Sequence, residues 1–431
     1  MGVRICIVGG GSAYMPGIAY AFAHLHERFG DATLVLQDLD DEALDLQRRL
    51  TGSILRSRGA GDVRVEAQPD RLRALEGADL VLTTFRPGGM AARHLDESIA
   101  IRHGVLGQET AGPGGFAMAL RSVPIVLEIV DDVRRVANTG CVVLNYTNPV
   151  QIVGEAVTRF APDAAFVALC DQTAGEIRWL GGLLDVDPAS IEIDTAGTNH
   201  LTFTRAVRVD GVDRTQELWA VLDAIPLEDL EDDAHRRTVR LFRDLRSIPS
   251  EYLQYFAFHD DILAEQRAAG RTRAQEILAI MPSVLASYRA EADRPDPHPS
   301  MLRASEEHGD FAVSLMAAIR SGERARFILN LPNAGTVDDL PEGAIVEAPA
   351  QVYGSTFEPI PQGSLPAQVS GMVRQVAEHA RLTAEAAVTG DRELAVRALA
   401  IHPLVASTAD ARALVADYLI AHASQLPRFA A

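Results

Sequence analysis

The chain opens with a β-rich apolar run, Val3-Arg4-Ile5-Cys6-Ile7-Val8, that ends in three consecutive glycines, Gly9-Gly10-Gly11, and then Ser12. Glycines after a strand let the backbone approach a pyrophosphate, and a helix starting behind them offers it free N–H groups. Pro16 suits the first turn of that helix, where its missing N–H is no loss. Tyr14 stands where the third glycine of a GxGxxG pattern would be, so the turn alone also fits a plain strand–turn–helix. Asp38 ends the next apolar run, 29 residues after Gly9. A carboxylate there can accept both ribose hydroxyls and repels a 2′-phosphate, and Leu39, Asp40 and Asp41 follow it rather than an Arg. The expected cofactor is therefore NAD, held by Gly9, Gly10, Gly11, Ser12 and Asp38. The plainer reading of Asp38 is a turn residue.

Behind this turn, strands and helices alternate. VRICIVG, ATLVLQD, DVRVEAQ, ADLVLTTF, CVVLNYTNP and AAFVALCD read as strands. Helices are expected over 16–29, 41–58, 118–138 and 150–160. Apolar strands alternating with helices imply a Rossmann-like, doubly wound parallel sheet. After about residue 190 the pattern changes. IEIDTAGTNH and LTFTRAVRVDG look antiparallel, and helical stretches follow at 213–246, 271–289, 302–320, 366–389 and 391–424. The expected fold class is α/β, with a dinucleotide-binding domain over 1–193. A mixed, mostly helical C-terminal domain over 194–431 would carry the substrate, metal and oligomerisation surfaces.

The formal charge of −19, from 40 Lys+Arg against 59 Asp+Glu, repels nucleic acid and anionic lipid, so neither is an expected partner. No apolar run of about 18 residues stands out as a membrane span. Three cysteines give no disulfide framework, which fits a reducing cytoplasm. Cys6 and Cys141 lie inside apolar runs and read as strand core; Cys170 does not.

Four segments place polar residues at the ends of apolar runs: Gly107 to Gly115 (GQETAGPGG), Asn145 to Pro149 (NYTNP), Cys170-Asp171, and Gly197 to His200 (GTNH). Two follow parallel strands, where ligands of open α/β sheets sit, so Asn148, Cys170 and Asp171 should face the crevice. Cys170 and His200 are 30 residues apart, which is no zinc-ribbon spacing. A thiolate, an imidazole and substrate hydroxyls can complete an open octahedral site for Mn²⁺ or a similar ion. Core packing for the Cys and a structural hydrogen bond for the His are the plainer readings.

Taken in order, GGGSAYMPG, ARHLDE, GQETAGPGG, LNYTNP, LCD, GTNH, IPSEYLQYF and PNAGTVDDLPEGAIVEAP resemble the segments of glycoside hydrolase family 4, the NAD- and divalent-metal-dependent hydrolases, over nearly the whole chain. The closest likeness is to the 6-phospho-α-glucosidase branch. The resemblance implies Cys170 and His200 as metal ligands, Asp171 as general acid and Tyr252 as base. Glu109 would be the acid that raises the basicity of Tyr252, and Arg93, Asn148 and Arg273 would bind substrate. Tyr255 would be a packing neighbour. It further implies hydrolysis of a 6-phosphorylated, α-linked glycoside: oxidation at C3 by NAD, proton removal at C2 with Mn²⁺ as Lewis acid, elimination, water addition and re-reduction. A homodimer or homotetramer would be the working assembly. Gln172 and Thr173 depart from the Pro that follows the acid in that branch, and Ala111 replaces a Cys. This leaves α-galactosidase, α-glucuronidase and 6-phospho-β-glucosidase activities open. A 2-hydroxy-acid or sugar dehydrogenase would share the fold.

Overall fold

The apolar run at the N-terminus forms β1 (Val3–Val8), and its flanking strands extend a parallel sheet on both sides. The computed structural model describes residues 2–304 and 306–430, so Met1, Ser305 and Ala431, the second of them within the helix expected over 302–320, lie outside the described residues. The strands are β2 (Ala32–Gln37), β3 (Arg64–Ala67), β4 (Leu80–Thr83), β5 (Val142–Asn145), β6 (Phe166–Ala168), β7 (Ile191–Thr198), β8 (Leu201–Val209), β9 (Val212–Asp213), β10 (Ile248–Pro249), β11 (Ala325–Pro332), β12 (Ile345–Tyr353) and β13 (Thr356–Pro359). The first six lie in the order 3-2-1-4-5-6, all parallel, as the Rossmann-like reading requires. The order reverses beside β1, between β2 and β4, which opens a crevice beyond their carboxyl ends. Cys6 and Cys141 are buried in one apolar cluster away from that crevice, and burial pushes both thiols up to about 12.

The sheet does not stop at β6. The antiparallel hairpin β11–β12 joins it, with Asn330 opposite Ala168 of β6 and Glu347 opposite Gly197 of β7. The chain position 193/194 therefore falls inside β7, and one sheet runs across it. The remainder of the second half is largely helical, as expected. The long helices break where proline or a cap intervenes: 213–246 resolves into Thr215–Ala224 and Asp233–Leu245 around Ile225-Pro226, and 391–424 into Arg392–Ala400 and Thr408–Ala421 around Pro403.

The helix expected from 118 starts earlier and spans Gly112–Val136. Its Pro113-Gly114-Gly115 start is not a loop: a Cβ on Gly114 or Gly115 would meet the carbonyl oxygens of Gln108 or Thr110 at 2.2 and 2.3 Å. These glycines let the helix press onto the preceding segment, which it fixes in place. This helix is long and apolar enough to cross a membrane, contrary to the sequence reading, yet 78% of its most apolar window is buried inside the protein.

Candidate active site

Gly9 takes φ +95°, a left-handed conformation that only glycine adopts at no cost. A Cβ there would meet the carbonyl oxygen of Thr84 at 2.5 Å, so β1 and β4 can converge only around glycine. Gly11 donates its N–H to Asp38 Oδ2 at 2.9 Å, while Asp38 Oδ1 accepts from Leu39 N at 2.7 Å. Asp38 is thus a turn residue and also lines the groove behind the turn; Asp40 caps the following helix instead. The groove has a volume of about 580 Å³ and is lined by Gly9, Gly11, Ser12, Asp38, Arg86 and Met118, among others. Gly10 lies beneath it, donating to Gln37 O at 2.8 Å.

A second cavity, also about 580 Å³, meets this groove: Tyr14, Glu109 and Asn148 line both. Its wall brings together Cys170, Asp171, His200 and Tyr252, which come from three separate stretches of chain. Cys170 follows β6, and Asp171 takes the N-cap position of the helix Gln172–Leu184. His200 is the second residue of the two-residue turn between β7 and β8. Its φ of +66° is rare for a side chain of this size, and such strain concentrates at functional sites. Tyr252 lies in a short 3-10 turn capped by Ser250.

Cys170 Sγ stands 3.3 Å from His200 Nε2. Two ligands at right angles on one ion, with bonds of roughly 2.3 Å to sulfur and 2.1 Å to nitrogen, would lie about 3.1 Å apart. Burial lowers His200 to about 4, so the ring is neutral and keeps a lone pair. A hydrogen-bond chain decides which nitrogen holds it. Thr110 Oγ1 donates to Gln108 Oε1 at 3.0 Å, which leaves the hydroxyl lone pair to accept from His200 Nδ1–H at 3.0 Å. The free lone pair then sits on Nε2, facing the thiol. Among the described residues no cluster of three or more His, Cys, Asp or Glu fits a metal ion. A cation held here would have two protein ligands and open positions for substrate oxygens. The Cys170 thiol is pushed well up by burial, by Glu347 and by Asp171, so a cation is what would make a thiolate of it.

Glu347 is fully buried behind the pair. Burial raises its carboxyl to about 7, and it accepts from Asn330 at 3.0 Å and from Asn199 at 3.2 Å, bracing the turn that carries His200. The Tyr252 ring stacks on that of His200, with centroids 3.7 Å apart and planes at 16°, and meets Tyr255 edge-on at 5.4 Å. Burial, Tyr255 and Cys170 hold the Tyr252 hydroxyl well above its ordinary value. Burial pushes the Glu109 carboxyl up, but Arg86 and Arg93 outweigh it and hold it below the usual range; Glu109 pairs with Arg86 and, at 2.9 Å, with Arg93.

Two expected substrate contacts line neither cavity, although Arg93 pairs with Glu109, which lines both. Arg93 is buried between Glu97, at 2.7 Å, and Glu109. Arg273 is 61% exposed and pairs with Glu276. The sequence reading assigned nothing to Tyr14, Arg86, Gln108, Thr110 or Glu347. Gln108 and Thr110 lay in a segment already singled out, and the TFRP ending of the fourth apolar run was the available signal for Arg86. Tyr14 Oη accepts from Arg303 at 2.8 Å, tying the glycine turn to the distant half of the chain.

Comparison with known proteins places this arrangement. Residues 4–185 match the family model described as Family 4 glycosyl hydrolase, and residues 195–405 match the Family 4 glycosyl hydrolase C-terminal domain. The 6-phospho-beta-glucosidase of Escherichia coli is 29% identical over 99% of this chain and 97% of its own. The 6-phospho-alpha-glucosidase of Leptotrichia buccalis is 29% identical over 97% of each. The structure of the 6-phospho-beta glucosidase from Thermotoga maritima with manganese, NAD+ and glucose-6-phosphate superposes with a TM-score of 0.88 at 27% identity, covering 98% of this chain and 99% of that one.

Proposed function

The chain belongs to glycosyl hydrolase family 4, and from that premise we propose that it is an NAD- and manganese-dependent 6-phosphoglucosidase. The observation that carries the reading is the Cys170–His200 pair, 3.3 Å apart, on the wall of a cavity that opens into the dinucleotide groove. Gly9, Gly11, Ser12 and Asp38 would hold the cofactor, with Gly10 letting the turn pass close to β2. Cys170 Sγ and His200 Nε2 would hold the divalent ion. When bound, the cofactor supplies hydride transfer at sugar C3 and the ion supplies Lewis acidity at the neighbouring oxygens.

The remaining work falls to the chain. Tyr252 first loses its hydroxyl proton to solvent, which a divalent ion bound beside it would favour, and as tyrosinate takes the proton from C2; Asp171 gives a proton to the leaving oxygen. Asn148, at the junction of groove and cavity, orients the sugar. Glu109, held anionic by Arg86 and Arg93, places negative charge beside the cavity and favours a proton moving off substrate towards the tyrosine. Arg93 and Arg273 are kept as phosphate contacts: each would exchange a carboxylate partner, Glu109 or Glu276, for the phosphate. Residues 1–193 are the proposed cofactor unit and 194–431 the unit that brings His200 and Tyr252. A homodimer or homotetramer in the cytoplasm is the proposed working form.

Relatives act on both anomers. Asp171 favours the α-linked substrate, whereas Gln172-Thr173 behind it differ from that branch. Nitrophenyl 6-phosphoglucosides of both anomers, with NAD⁺, Mn²⁺ and a thiol reductant, test the reading. Nitrophenol should be released with no net NADH, and unphosphorylated analogues should react more slowly. Stoichiometric NADH instead would make the chain a dehydrogenase.

A further inference from the structure

The cavity that Asp171 lines continues along the Gln172–Leu184 helix to Trp179. Eight residues of helical rise put Trp179 about 12 Å beyond Asp171. There the indole lies parallel to the imidazole of His235, with centroids 4.8 Å and planes 4° apart. His235 belongs to the Asp233–Leu245 helix, so the aromatic pair closes the cavity between two helices. Neither ring lines the cofactor groove. Arg178, Asp232 and Glu251 line this same end.

We propose that this end is the leaving-group subsite and that it takes a neutral sugar ring seated against Trp179 and His235. The inference rests on the glycosidase reading above. An acid that protonates the leaving oxygen must stand on the leaving group's side of the scissile bond, so the departing group extends from Asp171 towards Trp179. The distance leaves room for a pyranose unit between acid and wall. An aromatic surface suits the C–H face of a pyranose, and the charged rim suits its hydroxyl edge, which both donates and accepts. Two carboxylates against one guanidinium disfavour a second anionic group. A wholly apolar leaving group would strip water from those charges and give nothing back. The stack on His235 holds the indole in place before the sugar arrives, so little ordering is left to the binding step.

Two variants and two kinds of substrate test this. Cellobiose 6′-phosphate and maltose 6′-phosphate carry a sugar leaving group; the methyl 6-phosphoglucosides of both anomers carry none. Trp179→Ala should lower kcat/KM by about tenfold on the disaccharide phosphate that is cleaved, and leave the methyl glycoside nearly unchanged. The chain has two tryptophans, and Trp219 packs edge-on against Phe242 away from the cavity. Trp219→Phe therefore leaves Trp179 as the sole indole, whose emission should respond saturably to the disaccharide phosphates and not to the methyl glycosides. An equal loss on both kinds of substrate, or emission that ignores the disaccharides, would overturn the proposal. If the chain hydrolyses nothing yet the Trp179 emission still responds to the disaccharides alone, the sugar subsite stands and the glycosidase reading falls.

Discussion

Thr110→Val should weaken Mn²⁺ binding without touching NAD. The native hydroxyl gives its proton to Gln108 Oε1 and accepts from His200 Nδ1–H, both at 3.0 Å, which reserves Nε2 for the ion. Valine keeps the shape and removes the acceptor, leaving a buried N–H with no partner, a defect of about 1–3 kcal/mol. The ring can escape by moving its proton to Nε2, but that blocks the atom facing Cys170. Because the ion-free ring escapes the defect by that shift and binding must reverse it, affinity should fall by about 5- to 150-fold, which brackets the roughly 10- to 100-fold usual for a partner behind a ligand. The free-ion electron paramagnetic resonance signal of Mn²⁺ reads this directly, in the presence of NAD, with Thr110→Ser as the variant that restores the hydroxyl. Thr110 does not line the dinucleotide groove, so NAD affinity should hold. Unchanged Mn²⁺ affinity in the valine variant would refute the tautomer argument and, with it, Nε2 as the ligand atom.

Cys170→Ser should weaken Mn²⁺ binding and abolish turnover while NAD still binds; loss of NAD affinity in a calorimetric titration would instead mark Cys170 as structural. Asp38→Asn keeps one acceptor oxygen, enough for the N–H of Gly11 or of Leu39 but not both, and removes the charge that repels a 2′-phosphate, so the preference for NAD over NADP should narrow by about tenfold. An unaltered preference would assign the discrimination elsewhere. Glu155 is 2% exposed, and burial raises its carboxyl from 4.5 to about 7 although it accepts from Ile345 N at 2.7 Å. The folded chain therefore holds that proton more tightly than the unfolded one, and stability falls as pH rises from 4.5 through 7. Glu155→Gln keeps an acceptor and should stabilise the protein by up to about 3 kcal/mol at pH 8 and hardly at all at pH 4.5, measured by urea unfolding; a gain independent of pH would exclude the titration as its cause.

The parallel half of the fold was readable because its signals are local. Gly9 to Gly11 follow their strand directly, although the close approach that requires Gly9 comes from Thr84 at the end of β4, and Asp38 ends a run whose burial on both faces shows in its composition. The hairpin β11–β12 was not readable for equally local reasons. Its second strand holds Pro349 and the buried Glu347, a ladder-breaking residue and a charge, and both argue against a central strand when only the sequence is seen. Glu347 makes sense only once Asn330, Asn199 and the turn at His200 are packed around it. The helix expected from 118 was placed too late because its first turn is rich in glycine, and those glycines serve close packing onto the preceding segment.

The same hairpin explains why no ligand spacing announces the metal pair. Cys170 follows β6 and His200 follows β7, and in the sheet those strands are separated by β11 and β12. The hairpin is paired in the sheet with each neighbour at one position, Asn330 opposite Ala168 and Glu347 opposite Gly197. Asn330 and Glu347 face each other across it, so one short cross-strand pair sets both the gap between the ligand-bearing ends and the carboxylate behind them. On this geometry the metal centre is a property of sheet assembly, not of either segment. Cys170 and His200 meet only where the chain's second half packs on the first, beside the groove at the ends of β1, β2, β4 and β5.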